Sequence, residues 1–306
     1  AVFTIQNQAT VSVSGTADGN ANNYGLRVGT KGELYINNAT LSATKIDNSG
    51  IFSVTGESTI NGGVDGEGNV KAVSVTGNAI IAEDAVLSDF ALTGTATLAA
   101  QGDTSFVGEN TINYLWVAGE TEDGAATVTV EKDAVLTVKA VDGPYGVGVV
   151  YVGGTEKTEF DTYFGDYTNT AAGKLDVQGT LNTSAVGVNN NGELTVSGNL
   201  TTTDNFNVGK DADSTAAAGK VTITESGSVT SIFTNLAGQV DVAGDWTVKG
   251  AVGEHASAGL MTVEKDGIVV TVQKKEPEDQ SKKYPDDDTY YPLIRKNSNN
   301  KIYSSR

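Results

Sequence analysis

The sequence predicts an all-β chain wound into a parallel β-helix, a β-solenoid of stacked coils. Three observations carry that expectation. First, one phrase recurs: glycine, any residue, apolar, any residue, apolar, any residue, glycine. Gly173, Leu175, Val177 and Gly179 form one copy, Gly192, Leu194, Val196 and Gly198 the next, and Gly238, Val240, Val242 and Gly244 a third. The starting glycines from Gly173 onward are 19, 27, 19 and 21 residues apart, and a repeat at roughly 20–50 residues marks a stacked repeat architecture. Second, short segments alternate with period two, which places aliphatic side chains on one face and Thr, Ser or Asp on the other. Third, the 306 residues include 37 glycines and only 7% aromatics, and small and β-branched side chains suit a narrow interior of stacked strands.

The elements follow in chain order across residues 1–272, which read as one repeat domain. Alternating strands are expected at Val11 to Val13, Leu34 to Ile36, Phe52 to Val54, Val73 to Val75 and Val128 to Val130. They continue at Leu175 to Val177, Leu194 to Val196, Val221 to Ile223 and Val240 to Val242. Weaker copies of the phrase start at Gly32, Gly50, Gly219 and Gly259. Gly or Asn punctuates each end. A second element, apolar-x-Val-Gly, precedes many of these strands: Leu26 to Gly29, Val150 to Gly153 and Phe206 to Gly209. Loops of variable length follow it, and in a solenoid such insertions project from one edge while the strands stay in register. Thr129 to Asp133 recurs as Thr262 to Asp266. At roughly 20–25 residues per coil the domain holds about 11–13 coils, a rod on the order of 55–60 Å long. Asn37, Asn38 and Asn189 to Asn191 supply left-handed corner conformations, with stacked Asn ladders as the alternative.

Residues 273–306 break the pattern and read as a polar, non-solenoid C-terminal arm or linker. They hold Pro277, Pro285 and Pro292, paired lysines, Asp286 to Asp288 and the tyrosines Tyr284, Tyr290, Tyr291 and Tyr303. Tyr284, Tyr290, Tyr291, Ile294 and Ile302 are the candidate assembly residues, since such an arm can lie along the open coil of a neighbouring subunit.

Charge and composition exclude several functions. The net charge is −18, and residues 1–272 alone carry 12 Lys+Arg against 32 Asp+Glu. So acidic a surface repels phosphate backbones and argues against nucleic acid. Cysteine is absent, so neither disulfides nor thiolate metal sites are used. No apolar run approaches the ~18 residues of a membrane-spanning helix. The start at Ala1-Val2-Phe3 suits a mature chain after signal removal, or an excised fragment.

The combined phrase, apolar-x-Val-Gly, loop, Gly-x-apolar-x-Val-x-Gly, is clearest at Leu26 to Ile36 and at Val186 to Gly198. It resembles the passenger repeats of Gram-negative autotransporter adhesins over most of residues 1–272. The resemblance implies a right-handed, three-sided parallel β-helix, export, and display on the bacterial surface. Complete members end in a membrane barrel, and no amphipathic strand series follows residue 272. The chain would then be a released passenger, a fragment, or a β-helix outside that family.

The residues give enzymes little to work with. His255 is the lone histidine, so a zinc site of the usual kind is not expected. No Gly-x-Ser-x-Gly elbow surrounds a serine. Hydrolysis of a glycan needs two opposed carboxylates, and a uronate lyase needs a base. Arg27 is the only arginine before residue 273. Asp211 with Asp213, or Asp286 to Asp288, could supply oxygen ligands to Ca2+, although an acidic solvated surface is the preferred explanation. Thr201 to Thr203 and Thr93, Thr95 and Thr97 suggest a flat Thr array of the ice-binding kind, but the uneven 19-to-27 spacing argues against a regular lattice. Trp116 and Trp246 are expected to pack or cap.

The strongest recognition candidate is the insertion after Gly153. Tyr151, Phe160, Tyr163, Phe164 and Tyr167 crowd there, with Tyr145 upstream and Glu156, Glu159, Asp161 and Asp166 interleaved. Aromatics on a projecting loop stack on sugars or anchor protein partners; alternatively the loop folds back over the rod. The expected function is a non-enzymatic extracellular or cell-surface rod, adhesive or structural, which assembles through its terminal segments. Its partners are further copies of itself, or a glycan or protein of a cell surface. A polysaccharide-binding or polysaccharide-cleaving β-helix is the alternative.

Overall fold

The computed structural model describes residues 1–13, 25–63, 66–67, 71, 73–76, 79–81, 83–94, 97–119, 125–139, 148–154, 171–189, 191–209, 217–236, 238–249, 252–253, 260–263 and 268–271. Every regular element among them is a β-strand. Every strand pairing is parallel. Ala172–Val177 pairs with Gly192–Val196, that strand with Lys220–Ile223, and that one with Gln239–Val242. Two strands intervene in sequence at each step. The chain therefore advances three strands per coil. The described strands make eleven coils, which at ~4.8 Å per coil stack to about 50 Å.

From the fifth coil onward the three sides are regular. The first runs through Thr97–Ala100, Tyr114–Val117, Val149–Val152, Ala185–Val188 and Asn205–Val208. The second contains Thr104–Val107, Ala125–Val130 and the Ala172–Val177 series. The third contains Glu109–Ile112, Val135–Val138, Thr180–Thr183, Asn199–Thr202, Ser228–Ser231 and Asp245–Val248. The earlier coils differ. Ile51–Asn61 is one continuous strand that pairs with four others. Its start continues the Glu33–Asn37 side, its end continues the Thr40–Ala43 side, and Gly56 to Ser58 begins a new side against Ala85 to Leu87.

Parallel in-register stacking sets like residue over like. Val128, Leu175, Leu194, Val221 and Val240 form one inward column of the second side. Leu136, Leu181, Leu200, Val229 and Trp246 form one of the third. All belong to a single continuous core and are at most 1% exposed. Each such side chain contributes roughly 1.5–3 kcal/mol on burial. The third side also brings hydroxyls inward, each of them partnered. Thr183 donates to the Gly148 carbonyl at 3.1 Å. Trp246 Nε1 donates to Ser231 Oγ at 3.0 Å, and Ser231 shares a hydrogen bond with Thr234 at 3.0 Å. The Trp246 ring meets Phe206 with centroids 5.3 Å apart. Trp246 thus packs in the core, as its sequence context suggested.

The recurring glycines are explained by close approach between coils. A Cβ on Gly198 would overlap the carbonyl oxygen of Gly179, one on Gly238 that of Gly219, and one on Gly50 that of Gly32. Those carbonyls accept the next coil's amide hydrogens: Asn199 donates to Gly179 at 2.8 Å and Gln239 to Gly219 at 2.9 Å. Glycine stacks on glycine because the corner that makes this bond has no room for a side chain. Corner asparagines follow the turn expectation at Asn38 (φ 48°) and Asn191 (φ 56°).

One expectation is corrected. Long insertions leave from two edges rather than one. Residues 118–124, 153–171 and 209–219 follow the first side, whereas 14–25, 62–72 and 139–148 leave from other corners. As expected, uneven coil length does not disturb strand register, because the surplus residues stay in the insertions. Thr111, Thr137, Asn182, Thr201, Thr230 and Thr247 form an unbroken outward column. The threonines singled out from sequence are not a flat array, however, since Thr97 and Thr202 are buried. Residues 272–306 lie outside the described residues.

Two stability predictions follow from the packing. Gly198→Ala should lower unfolding free energy in urea by about 1–3 kcal/mol, the usual cost of overpacking. Gly29→Ala, which faces open space, should stay within about 0.5 kcal/mol of the parent. Ser231→Ala should cost about 1–3 kcal/mol by stranding the indole N–H, and should cost less when Trp246→Phe is already present.

Candidate functional site

The corner after the first side changes character along the rod. In the early coils it is short. Asn37, Asn38, Thr55, Gly56, Glu83, Asp84 and Gly102 line an open depression of about 560 Å³ there. Its floor is held by local bonds. The Asn38 side chain accepts the Glu57 amide hydrogen at 2.9 Å and donates to Asn37 Oδ1 at 2.7 Å. Gly56, in the left-handed region at φ 64°, lies against that Asn38 amide and donates to the Asp84 carbonyl at 2.8 Å. The depression is polar and carries two carboxylates.

In the sixth, seventh and ninth coils the same corner gives rise to insertions, and their feet are tied to neighbouring coils. Gly119 donates to the Ala172 carbonyl at 3.1 Å, and Gly154 to that of Ala171 at 2.9 Å. Gly153 donates to Val117 at 2.8 Å. Further on, Asn191 donates to the Ala217 carbonyl at 2.8 Å and its side chain accepts the Ala217 amide hydrogen at 3.0 Å. Each insertion therefore leaves and re-enters the stack through a hydrogen-bonded neck.

Beneath the necks lies a second apolar cluster, outside the main core. In register on the first side stand Ala99, Trp116, Tyr151 and Gly187. Leu115 and Val117 point into the core, so alternation turns Trp116 outward. Yet Trp116 is only 5% exposed: it packs with Ala99, Ala118 and Ala171, and Tyr151 lies against the group. Its Nε1 donates to the Gly153 carbonyl at 3.3 Å, at the neck of the 153–171 insertion. The small residues on either side leave space for the rings. A Cβ at Gly187 would come within 2.9 Å of Tyr151 Cδ1.

Among the sequence-selected site residues, Tyr151 is described: it belongs to the strand Val149–Val152, as the apolar-x-Val-Gly phrase placed it, and lies against the cluster at the insertion's neck. Tyr145, Phe160, Tyr163, Phe164 and Tyr167 lie outside the described residues. So do Tyr284, Tyr290, Tyr291, Ile294, Ile302, His255, Asp211, Asp213 and Asp286 to Asp288. Arg27 is paired with Asp47 of the following coil at 3.4 Å. Among the described residues no group of three or more His, Cys, Asp or Glu is placed to hold a metal, and no helix is long and apolar enough to cross a membrane. Sequence reasoning missed Trp116 as an outward anchor. The signal was the run Tyr114-Leu-Trp-Val117, where an apolar residue occupies an outward position and so needs cover from outside the coil.

No protein-family model, curated protein or solved structure matches the chain.

With Trp246→Phe as background, Trp116 reports alone. Tyr151→Ala should then shift its emission to the red and increase quenching by iodide, while the far-ultraviolet spectrum of the strands stays unchanged.

Proposed function

We propose that the chain is a non-enzymatic rod of a bacterial surface, a right-handed β-helix of the autotransporter-passenger kind, which displays insertions for adhesion and joins with further copies. The observation that carries this reading is the laced edge: necks at 118–119, 153–154, 171–172 and 217–219, fixed by coil-to-coil hydrogen bonds to a rigid stack. Binding residues concentrate on loops held by rigid scaffolds. The 153–171 insertion suits that role by content, with four aromatics and four acidic residues between Glu156 and Tyr167. Aromatics stack on sugar faces and anchor protein contacts. Acidic groups beside them favour a cationic or hydroxyl-rich partner over a phosphate-bearing one.

A polysaccharide reading draws on the open depression, where Glu83 and Asp84 stand in a polar wall. It favours binding over cleavage. Glycan hydrolysis uses carboxylates on opposite faces of one sugar, and these two are consecutive in sequence. Arg27, held by Asp47, does not supply a free base for a uronate.

The test replaces residues 155–170 by a short Gly-Ser turn on the same neck. Binding to cells and to an array of glycans and surface proteins should fall at least tenfold, with the melting transition of the rod preserved. Undiminished binding would remove the adhesive role of this insertion. Release of product from a panel of uronic-acid and neutral glycans would overturn the non-enzymatic assignment.

A further inference from the structure

The first side turns a distinct surface outward. None of its strands Thr97–Ala100, Tyr114–Val117, Val149–Val152, Ala185–Val188 and Asn205–Val208 contains a charged residue. Each second-side strand from Ala172–Val177 to Gln239–Val242 contains at least one, among them Lys174, Glu193, Lys220 and Asp241. In a chain of net charge −18, the first side is a neutral strip along an acidic rod. Alternation fixes its outward residues. They form the column Ala99, Trp116, Tyr151, Gly187 and Asn207, with Asn205 beside the last member. Along the axis the column passes from small to aromatic to amide.

The aromatic part leans on a glycine. Trp116 is buried, whereas Tyr151 is only half-buried. The Cδ1–Cε1 edge of Tyr151 fills the space over Gly187, since a Cβ there would meet those atoms at 2.9 and 3.1 Å. Gly187 itself is buried. One coil on, Asn205 and Asn207 stand outward and half-buried, while Phe206 and Val208 point into the core. Asn189 brings a third amide to the same place. Its Oδ1 lies 3.7 Å from where a Cβ would stand on Gly187, and 3.7 Å from the same point on Gly209. The Asn189 Nδ2 is buried without a hydrogen-bond partner among the described residues, and a buried donor left unpaired is costly.

We propose that this strip binds a neutral glycan, with one pyranose ring packed on Tyr151 and its hydroxyls on the amides of Asn207 and Asn205. A pyranose offers an apolar C–H face and a rim of hydroxyls. An aromatic ring followed by amides matches both. A side-chain amide donates and accepts, as a hydroxyl does, so either orientation of the sugar finds partners. The α carbons of Tyr151 and Asn207 are two coils apart, about 10 Å, which leaves room for one sugar ring between aromatic and amide. A hydroxyl at the level of Gly187 also gives the Asn189 Nδ2 an acceptor. Charge selects a neutral ligand. The strip has no Lys or Arg to hold a uronate or a sulfate, and the acidic rod around it repels both. The site belongs to the rod itself and goes beyond the adhesive role proposed for the 153–171 insertion.

The test titrates the full chain with uncharged oligosaccharides of glucose, mannose, galactose, xylose and N-acetylglucosamine, and with oligogalacturonate of matched length. Saturation-transfer NMR detects the bound sugar and calorimetry gives the affinity. At least one neutral oligosaccharide should bind, and oligogalacturonate should not. Tyr151→Ala should weaken binding about tenfold, whereas Tyr151→Phe, which keeps the ring, should stay within about twofold of the parent. Asn207→Ala should weaken it about threefold. Far-ultraviolet spectra check folding, and Asn207→Ala leaves the Trp116 cluster intact, so it decides the matter if Tyr151→Ala does not fold. Replacement of residues 155–170 by the Gly-Ser turn should leave this binding unchanged, so failure of either idea is visible without the other. The proposal is overturned if no neutral oligosaccharide binds, if oligogalacturonate binds equally, or if binding is lost with the insertion. It is also overturned if Asn207→Ala or a folded Tyr151→Ala binds like the parent, or if Tyr151→Phe binds no better than Tyr151→Ala.

Discussion

The structure depends on one constraint: each coil must lie on the previous one in parallel and in register. Backbone hydrogen bonds between coils supply the spacing, and that spacing forces everything else. It sets Leu194 over Leu175 and Val221 over Leu194, so a single apolar column grows with every turn. It also brings corner carbonyls so near the next corner that only glycine fits, as at Gly179 under Gly198 and Gly219 under Gly238. Burial and hydrogen bonding are therefore satisfied by the same displacement. A residue that disturbs one disturbs the other.

The same constraint tells where variation is allowed. A coil can lengthen only where its extra residues leave the stack, so insertions sit at corners and strands do not slip. The coil that contains the 209–219 insertion keeps Val221 over Leu194 as faithfully as its shorter neighbours keep theirs. The rod resembles a rail on which loops are mounted. Trp116 shows how a mount is made. An aromatic turned away from the core is buried beneath the neck of the largest insertion, and Ala99 and Gly187 make room for its neighbours.

Much of this was legible in the sequence, and the limits have physical causes. The second side was legible because its inward residues are Leu, Val and Ile bracketed by crowded glycines. The first side was legible through apolar-x-Val-Gly, as at Val150 to Gly153. The third side was hidden because its inward positions include the hydroxyls of Thr183, Thr202 and Ser231, and Thr183 and Ser231 find partners 35 and 15 residues away. The fused strand Ile51–Asn61 was also hidden, because a change in the number of sides leaves no trace in a two-residue period. The aromatic insertion was legible as composition, but composition does not position a side chain.

The most direct measurement concerns the stacking itself. Spin labels at Thr111, Thr137, Thr201, Thr230 and Thr247 stand in one outward column, although very different lengths of sequence separate them. Distances from a label at Thr111 should rise by about 4.8 Å for each coil crossed, and so increase in order to Thr201, Thr230 and Thr247. Distances that follow sequence separation, or that fail to increase along this column, would contradict parallel stacking in register.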